Sequence, residues 1–484
     1  MAVTTEGPGL RRSLRGWQAV GLSVALMAPS MAANINPQAT VPSVGRAVPL
    51  AFLLATVAVL LVAYGFVKLC TYYQHAGSVY ALVGSTLGPR AGVVAGLGLL
   101  GTYTCYGVVT SSAAGIFGTA FLERLGIWEN PPTWAPFLLA AIALVLALWL
   151  TVVPARRGTS TLLTVEGLTV ALIVVVTAVV LVRLLAGNAP GGKEFTLSVF
   201  QVAPDTGASA LFLGVVFGFL SFAGFEAAAT LGEETANARR EIPRAILGTA
   251  AFGGIYFVVV TAVEMMGFGT DTAGVEAFGS SPSLLGDLGG TYVGTWVGDV
   301  ITLGAAVSAF GCCLACVVGG ARLLFAMSRD VAGDRGLARV SAQGTPARSA
   351  AVVVAAMGLI ILVCATAFGA HATDTFAWMG TIGTLILLVA YALTTIGAIQ
   401  LVFVHKRLPT PMWQIVIPLA ALVMLGYTLY RNVIPYPESG PARWFPVVAG
   451  VWLVIAVVAV LAAPELARRL GRNLAEAEGI PAQS

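Results

Sequence analysis

One acidic residue, Glu226, lies inside a long apolar segment and close to two glycines. The segment begins near Ala208 and includes the stretch SFAGFEAAATLGEE at positions 221–234. An ionised carboxylate at the centre of a membrane helix costs about 2.5–3.5 kcal/mol on insertion scales. Because burial favours the neutral acid, a carboxyl group here can load a proton on one side of a membrane and release it on the other. Its alternative role is to cap the helix segment that follows.

Three further acids lie within apolar segments. Glu166, in TLLTVEGLTVALIVV, lies about two turns into the fifth segment, where it either pairs with a base such as Arg322 or carries protons. Glu264 and Asp299 lie near the ends of segments seven and eight that we expect to face outward. A position in a vestibule, or a side chain that snorkels to the interface, is expected for both.

The composition places these acids in a membrane protein. Of 484 residues, 58% are hydrophobic and only 10% are charged, and soluble domains carry about 25% charged residues. About 20 apolar residues are needed to cross a bilayer as a helix. Twelve segments meet this requirement, and we predict spans at 17–39, 46–70, 91–121, 134–153, 160–185, 208–231, 244–268, 293–327, 350–370, 374–399, 411–431 and 443–463. The segment 72–90 is too polar to span and is expected at the interface.

The basic residues predict the orientation of the chain. With both termini in the cytoplasm, 20 of the 26 Lys and Arg residues fall on the cytoplasmic side. Cytoplasmic loops carry such an excess in membrane proteins. The loop 269–292, expected outside, contains three acids and no base. We therefore predict a multi-pass protein of the plasma or inner membrane with tails at 1–16 and 464–484.

Two of the predicted spans are interrupted. In span one, Pro29 removes a backbone hydrogen bond and clashes with the preceding turn. The polar residues Asn34 and Asn36 follow it and should face protein or water. In span six, Gly218 precedes the segment SFAG, which ends at Gly224. Interrupted helices at corresponding positions of two repeats indicate the binding site of a secondary transporter.

Three regions resemble the amino acid–polyamine–organocation (APC) superfamily. They are FGFLSFAGFEAAATLGEETANARREIPRAILGT at 217–249, HAGSVYALVGSTLGPRAG at 75–92 and GGARLLFAMSRDVAGDRGLARVSAQGTPARSA at 319–350. The resemblance implies an all-α fold of about 12 transmembrane helices, in which five helices form an inverted repeat with the next five. Helices one and six are broken, and two C-terminal helices are added. The repeats would cover 17–185 and 208–399, and the added helices 411–463.

The resemblance also implies a function and a site. The function is transport of amino acids or related amines by proton symport or exchange, with Glu226 and Glu166 as candidates for proton coupling. Exposed amides at a half-helix N-terminus bind a carboxylate, and carbonyls freed by a break bind an ammonium. Phe222 and Phe225 would cover the substrate or act as a gate, although Phe222 has core or lipid packing as its alternative. The predicted substrate-binding residues are Ala28, Ser30, Met31, Ala32, Ser221, Phe222, Ala223 and Phe225.

Several other function classes lack support in the sequence. It contains no phosphate-binding loop, catalytic triad or repeated filter loop. The CCLAC segment at 312–316 is interpreted as a site of helix packing rather than a metal site. A metal would need more ligands, and the three histidines lie in other segments. We predict no enzyme activity, metal, cofactor or nucleic-acid partner. A neutral or small amino acid is the preferred substrate, since a polyamine would need several deep acids. A polyamine permease and a sensor that transports nothing remain as alternatives.

Overall fold

The fold is described by a computed structural model covering residues 16–73, 79–153, 156–202, 207–231, 235, 237–332, 336–339, 345–437, 439–462, 464 and 468–469. Within these residues it is all-helical and contains no β-strand. The α-helices, in chain order, are α1 Gly16–Met27, α2 Pro29–Val44, α3 Val48–Tyr72, α4 Val79–Leu87, α5 Pro89–Arg124, α6 Ala135–Val152, α7 Arg156–Leu185, α8 Leu211–Phe222, α9 Ala238–Phe268, α10 Thr272–Ser280, α11 Leu284–Tyr292, α12 Thr295–Ala332, α13 Ala347–Ala367, α14 Ala372–Ile399, α15 Val416–Arg431 and α16 Trp444–Ala462.

The helices match the predicted spans closely. The described part of the chain has 11 helical stretches that are long and apolar enough to cross a membrane. The first of them, Ser23–Tyr72, has 50 residues and covers most of the predicted span 17–39 and all of the predicted span 46–70, with a short 3₁₀ helix at Gly45–Ala47 between the two. The predicted cytoplasmic tails, 1–16 and 464–484, lie almost entirely outside the described residues. The division into two inverted repeats stays a prediction.

Burial separates the helices into a core and a lipid-facing layer. α5 lies at the centre of the bundle and packs against α4, α6, α12 and α14, and α3 packs along α9. α6, α13, α15 and α16 expose much of their apolar surface instead. Large apolar side chains such as Leu168, Ile255 and Val454 project outward. Exposing this apolar surface to water would cost free energy, whereas the hydrocarbon of a bilayer solvates it well.

Three short helices lie between the spans. α4 forms within the predicted interfacial segment 72–90 and has nine residues, so at about 1.5 Å per residue it is too short to cross a bilayer. Residues 74–78 of that segment lie outside the described residues. α10 and α11 form within the loop 269–292 and pack against α9. The sequence analysis predicted this loop without its helices.

Glycine allows α8 to approach α3 closely. A Cβ added at Gly218 would lie 2.3 Å from the Cβ of Ala55, whereas one added at Gly248 on α9 would meet nothing within 4 Å. We expect Gly218→Ala to lower the free energy of unfolding by about 1–3 kcal/mol through overpacking. The matched control, Gly248→Ala, should be neutral or stabilising by up to about 1 kcal/mol, because Ala is the better helix former. Thermal unfolding in detergent measures both, and equal stability of the two variants would contradict this packing.

Candidate functional site

The first helix break lies at Ala28, between α1 and α2. Ala28 has φ of 45° in the left-handed region, and its amide donates to Ala25 O at 3.2 Å, which closes α1. Pro29 is the first residue of α2, the one helical position where a missing amide hydrogen costs nothing. The residue before a proline avoids the α-helical region. Pro29 therefore separates the two half-helices, as the sequence analysis predicted.

The second break follows α8 and lies against the first. Gly224 has φ of 103°, and a short 3₁₀ helix begins at Ala227. A Cβ at Gly224 would lie 2.8 Å from the Cβ of Leu26, near the end of α1. Only glycine combines this backbone conformation with so close an approach. The structure therefore brings the two predicted breaks into direct contact in the interior of the bundle.

Internal groups occupy the N-terminus of α2. The amide of Ser30 donates to Glu166 Oε1 at 3.0 Å, and the amide of Met31 donates to Ser308 Oγ at 3.2 Å. The amide of Ala32 donates to Ala28 O at 2.8 Å. The sequence analysis predicted that these amides bind a substrate carboxylate. In this conformation a carboxylate of the protein, Glu166, holds that position.

Glu166 is 6% exposed and lies on α7. Arg322, its predicted alternative partner, is exposed on α12. The positive end of α2 stabilises a negative charge at Glu166. The sequence analysis identified Glu166 as a candidate but missed its contact with Ser30, because 136 residues separate the two.

Glu226 lies just after the second break and faces protein. Its Oε2 atom is buried and has no hydrogen-bond partner among the described residues. Tyr391 on α14 and Tyr103 and Tyr106 on α5 lie within electrostatic range of this carboxyl group. The Tyr391 hydroxyl is also buried and has no hydrogen-bond partner in the described structure. The sequence analysis did not identify the three tyrosines.

The two predicted aromatic residues are fully packed. Phe222 contacts Phe257 edge to face at a centroid distance of 5.4 Å. Phe225 contacts Phe66 at 5.7 Å and Tyr391 at 5.8 Å. The structure thus places Phe222 against α9 and Phe225 beside the tyrosines. Contact of either ring with a substrate stays a prediction.

The predicted carbonyl acceptors at the breaks already carry internal donors. Ala25 O accepts from Ala28, Phe222 O accepts from the Phe225 amide at 3.0 Å, and Leu26 O contacts the Cys312 thiol at 3.4 Å. Each carbonyl oxygen has two lone pairs, so an ammonium can still bind beside these donors. The contact of Cys312 gives the CCLAC segment a packing role next to the first break.

Side-chain hydrogen bonds join the half-helices on both sides of the breaks. On one side the Ser23 hydroxyl of α1 accepts from the Ala228 amide at 2.9 Å. On the other side Asn36 of α2 donates to the Ser221 hydroxyl of α8 at 2.7 Å. Ser221 donates in turn to Phe217 O at 2.9 Å. The half-helices are therefore paired, α1 with the 3₁₀ segment and α2 with α8.

Asn34 joins α2 to the short helix α11. Its Oδ1 atom accepts from the Ser283 hydroxyl at 2.8 Å and from the Leu285 amide at 2.9 Å. Asn34 and Asn36 are fully buried, so both face protein as expected. Beyond α11, Arg124 pairs with Asp287 and lies 3.7 Å from Asp299. This network ties α2, α5, α11 and α12 together at one end of the bundle.

The outcome for the two outer acids differs. Asp299 has a partly exposed side chain beside Arg124, and its expected vestibule position stays a prediction. Glu264 is 0% exposed, so the expectation that it snorkels to an interface is wrong. The chain turns back at Gly269, and α10 and α11 pack against α9. Protein rather than the membrane surface therefore covers this end of α9.

Comparison with known proteins identifies the family. The amino acid permease family matches residues 35–463. The chain belongs to this family. The match covers most of the chain and confirms the resemblance to the APC superfamily. The fold is that of a multi-pass membrane protein, and the family consists of transporters rather than enzymes.

The similar proteins have names that span two substrate classes. The low-affinity putrescine importer PlaP of Escherichia coli (strain K12) is 29% identical over 285 residues, which cover 58% of this chain and 59% of that protein. The branched-chain amino acid permease BcaP of Lactococcus lactis subsp. cremoris is 24% identical over 363 residues, 74% of this chain and 75% of that protein. The chloroplastic cationic amino acid transporter 6 of Arabidopsis thaliana is 22% identical over 334 residues, 67% of this chain and 56% of that protein. The aligned region thus spans about three fifths of the putrescine importer.

Proposed function

We propose that this protein is a secondary active transporter of the plasma membrane, with both termini cytoplasmic. It moves a small amine-bearing substrate by proton symport or exchange. The observation that carries the proposal is the contact between the two helix breaks, with Glu226 directly after the second break and its Oε2 atom buried without a hydrogen-bond partner among the described residues. Irregular backbone at membrane depth is tolerated where it lines a site or is buried in protein.

The pairing of the half-helices suggests how access alternates. α1 and the 3₁₀ segment share the Ser23 contact, and α2 and α8 share the Asn36 contact. Each pair can move as a unit about the breaks, so the site can open on one side while the other pair stays closed. Alternating access in such folds is largely rigid-body movement around a fixed site.

The charge of the interior favours a cationic group. Among the described residues, the buried polar side chains include Glu166 and Glu264, and no Lys, Arg or His is buried. A substrate ammonium or a proton can balance the carboxyl of Glu226, and the aromatic rings of Phe225 and Tyr391 offer a cation–π surface. Binding of the ammonium beside Glu226 is the step that we propose to be linked to proton movement.

Two substrate classes fit this scheme. A neutral or small amino acid, preferred from the sequence, needs donors for its carboxylate, and those at α2 are held by Glu166 and Ser308. It can bind only after Glu166 releases the Ser30 amide. An organic amine without a carboxylate needs no such release. This occupancy of the α2 amides is the specific observation that favours an amine, and the names of the relatives include both classes.

Uptake by purified protein in proteoliposomes tests the function. The panel should contain neutral, branched-chain and cationic amino acids together with putrescine, each with an imposed proton gradient, with a sodium gradient and in exchange mode. We expect proton-dependent uptake or exchange of at least one substrate. With one proton coupled, a pH difference of one unit can drive about tenfold accumulation. Binding of a substrate without flux in any mode would instead favour the non-transporting sensor.

A further inference from the structure

We propose that Glu264 is a proton-binding site of this transporter and that it exchanges its proton with Glu166 through Tyr256. The inference deepens the proposed function and rests on it, since it names a second place where the coupled proton resides. Nothing in the sequence analysis gave Glu264 this role. The proposal follows from its burial, its missing partners and its position on α9.

Glu264 is fully buried, and neither of its carboxyl oxygens has a hydrogen-bond partner among the described residues. An ionised carboxylate cannot persist in such surroundings without a counter-charge, so the group is held as the neutral acid in this conformation. A neutral carboxylic acid keeps a transferable proton. Glu264 therefore carries a proton in the conformation that the structure represents.

Among the described residues, no charged side chain of the helices packed against α9 forms a hydrogen bond with Glu264. In their described parts α1, α2 and α8 contain no titratable side chain. Asp287 pairs with Arg124, Tyr292 donates to Gly267 O at 3.1 Å, and Lys68 donates to Thr410 at 3.3 Å. The other titratable groups are Tyr64, Cys70 and Tyr72 on α3, Glu166 and Arg183 on α7, Glu276 on α10, Glu226 next to the 3₁₀ segment, and Arg239, Arg240, Glu241, Arg244 and Tyr256 on α9 itself.

Tyr256 connects Glu264 to Glu166. Its hydroxyl lies within electrostatic range of both carboxyl groups and donates to Pro29 O at 3.4 Å. Pro29 precedes Ser30, whose amide binds Glu166. Glu264 lies two turns further along α9, about 12 Å at 1.5 Å per residue. The three groups therefore follow one another from the α11 end of the helix towards the first break.

Glu264 and Glu166 differ in the way that proton transfer from the first to the second requires. Glu166 receives an amide hydrogen bond at the positive end of α2, which favours its ionised form. Glu264 receives none in the described structure. A proton that leaves Glu264 breaks one O–H bond and forms one at Glu166, and the total charge is unchanged. For this transfer the Tyr256 hydroxyl has to turn away from Pro29 O, to which it donates, and then release its own proton to Glu166 while it accepts the proton of Glu264.

Transfer to Glu166 would weaken its hold on α2. A protonated carboxyl group is a poorer acceptor than a carboxylate, because charge-assisted hydrogen bonds are about twice as strong as neutral ones. Protonation of Glu166 therefore weakens its hydrogen bond with the Ser30 amide. In this way a proton bound at Glu264 can be linked to the conformation of the first break.

Infrared difference spectroscopy of the full chain in lipid tests the site without substrate. The wild type should show the C=O band of a protonated carboxylic acid that persists at neutral pH. Glu264→Gln should lose the part of this band that Glu264 contributes, whereas Glu276→Gln, which removes an exposed carboxyl on α10, should keep the full band. An unchanged band in Glu264→Gln overturns the proposal. If that variant does not fold, Glu264→Asp keeps a carboxyl group, and a band that does not shift in it overturns the proposal equally.

Transport measurements test the exchange with Glu166. At a pH difference of one unit, accumulation by Glu264→Gln should fall by up to about tenfold while exchange without a gradient stays near the wild type. Tyr256→Phe keeps the ring packing and should slow proton-driven uptake while the infrared band remains. Normal proton coupling in both variants, or loss of exchange without a gradient in Glu264→Gln, overturns the relay. If the wild type exchanges substrate but shows no proton-driven uptake, the relay fails while the proposed function stands, and the infrared band alone decides whether Glu264 binds a proton.

Discussion

Glu226→Gln is expected to abolish proton-driven accumulation and to leave exchange of substrate partly intact. Gln has nearly the same shape as Glu and can still accept a hydrogen bond, but it cannot bind and release a proton at physiological pH. A pH difference of one unit is worth about 1.4 kcal/mol per proton, or a factor of ten in accumulation. At that gradient the wild type should therefore accumulate substrate up to about tenfold above the variant.

The measurement compares two modes in the same proteoliposomes. Uptake driven by an imposed pH gradient reports coupling, and exchange at equal pH reports substrate binding and the conformational change. Glu129→Gln provides the control, because Glu129 is an exposed carboxyl in the loop before α6. Unchanged dependence on the pH gradient in Glu226→Gln would exclude Glu226 as the coupling site. Loss of both modes in a folded variant would instead show that substrate cannot bind without the carboxylate of Glu226.

The tyrosines around Glu226 explain why the exchange mode should survive. Tyr391, Tyr103 and Tyr106 lie within electrostatic range of the carboxyl group, and Tyr106 is held by Thr384 at 2.9 Å. The amide of Gln can accept from the Tyr391 hydroxyl as the carboxyl would. The local packing of Phe225 against Phe66 and Tyr391 does not depend on the charge.

The spans and breaks were predictable because their signals are local. A run of about 20 apolar residues is required for a crossing wherever the helix packs. Pro29 has no amide hydrogen in any context, and Gly224 permits a positive φ that other residues adopt at a cost. The two helix breaks therefore lie where the sequence indicated. The same reasoning correctly predicted that Asn34 and Asn36 face protein.

The contacts between helices were not predictable in the same way. In spans that are apolar on nearly all sides, periodicity does not show which face points inward. Glu264 illustrates this limit, since its position near a helix end suggested an exposed acid although α10 and α11 pack against that helix. The contact of Glu166 with Ser30 and the cluster of tyrosines also depend on how α5, α7 and α14 are rotated. The position of these Tyr residues inside predicted spans three and ten was the signal available for the cluster.

A second large effect is expected at Glu166. Glu166→Ala leaves the Ser30 amide without its acceptor at the N-terminus of α2. An unsatisfied buried amide costs about 1–3 kcal/mol, so the empty protein should be less stable by that amount. The freed amide, at the positive end of the helix, becomes a donor for an external carboxylate. The variant should therefore gain affinity for amino acids relative to amines.

The size of this shift follows from one hydrogen bond to a charged group. Such a bond contributes about 1.5–3 kcal/mol, and about 1.4 kcal/mol changes a binding constant tenfold. We expect the ratio of alanine to putrescine affinity to rise by roughly tenfold or more in Glu166→Ala. Competition of unlabelled alanine and putrescine against a labelled transported substrate measures this ratio. Thermal unfolding of the empty and the alanine-bound variant should show that alanine restores part of the lost stability.

Glu166→Gln separates the hydrogen bond from the charge. Its side-chain oxygen can still accept from the Ser30 amide, so the stability of the empty protein should stay near that of the wild type. Because Gln also holds the amide, its alanine-to-putrescine ratio should rise less than in Glu166→Ala. If both variants shift the ratio equally, the charge of Glu166 rather than its occupation of α2 determines selectivity. An unchanged ratio in Glu166→Ala would mean that substrates do not use the N-terminus of α2, and the preference for an amine would then rest on the carboxyl of Glu226 alone.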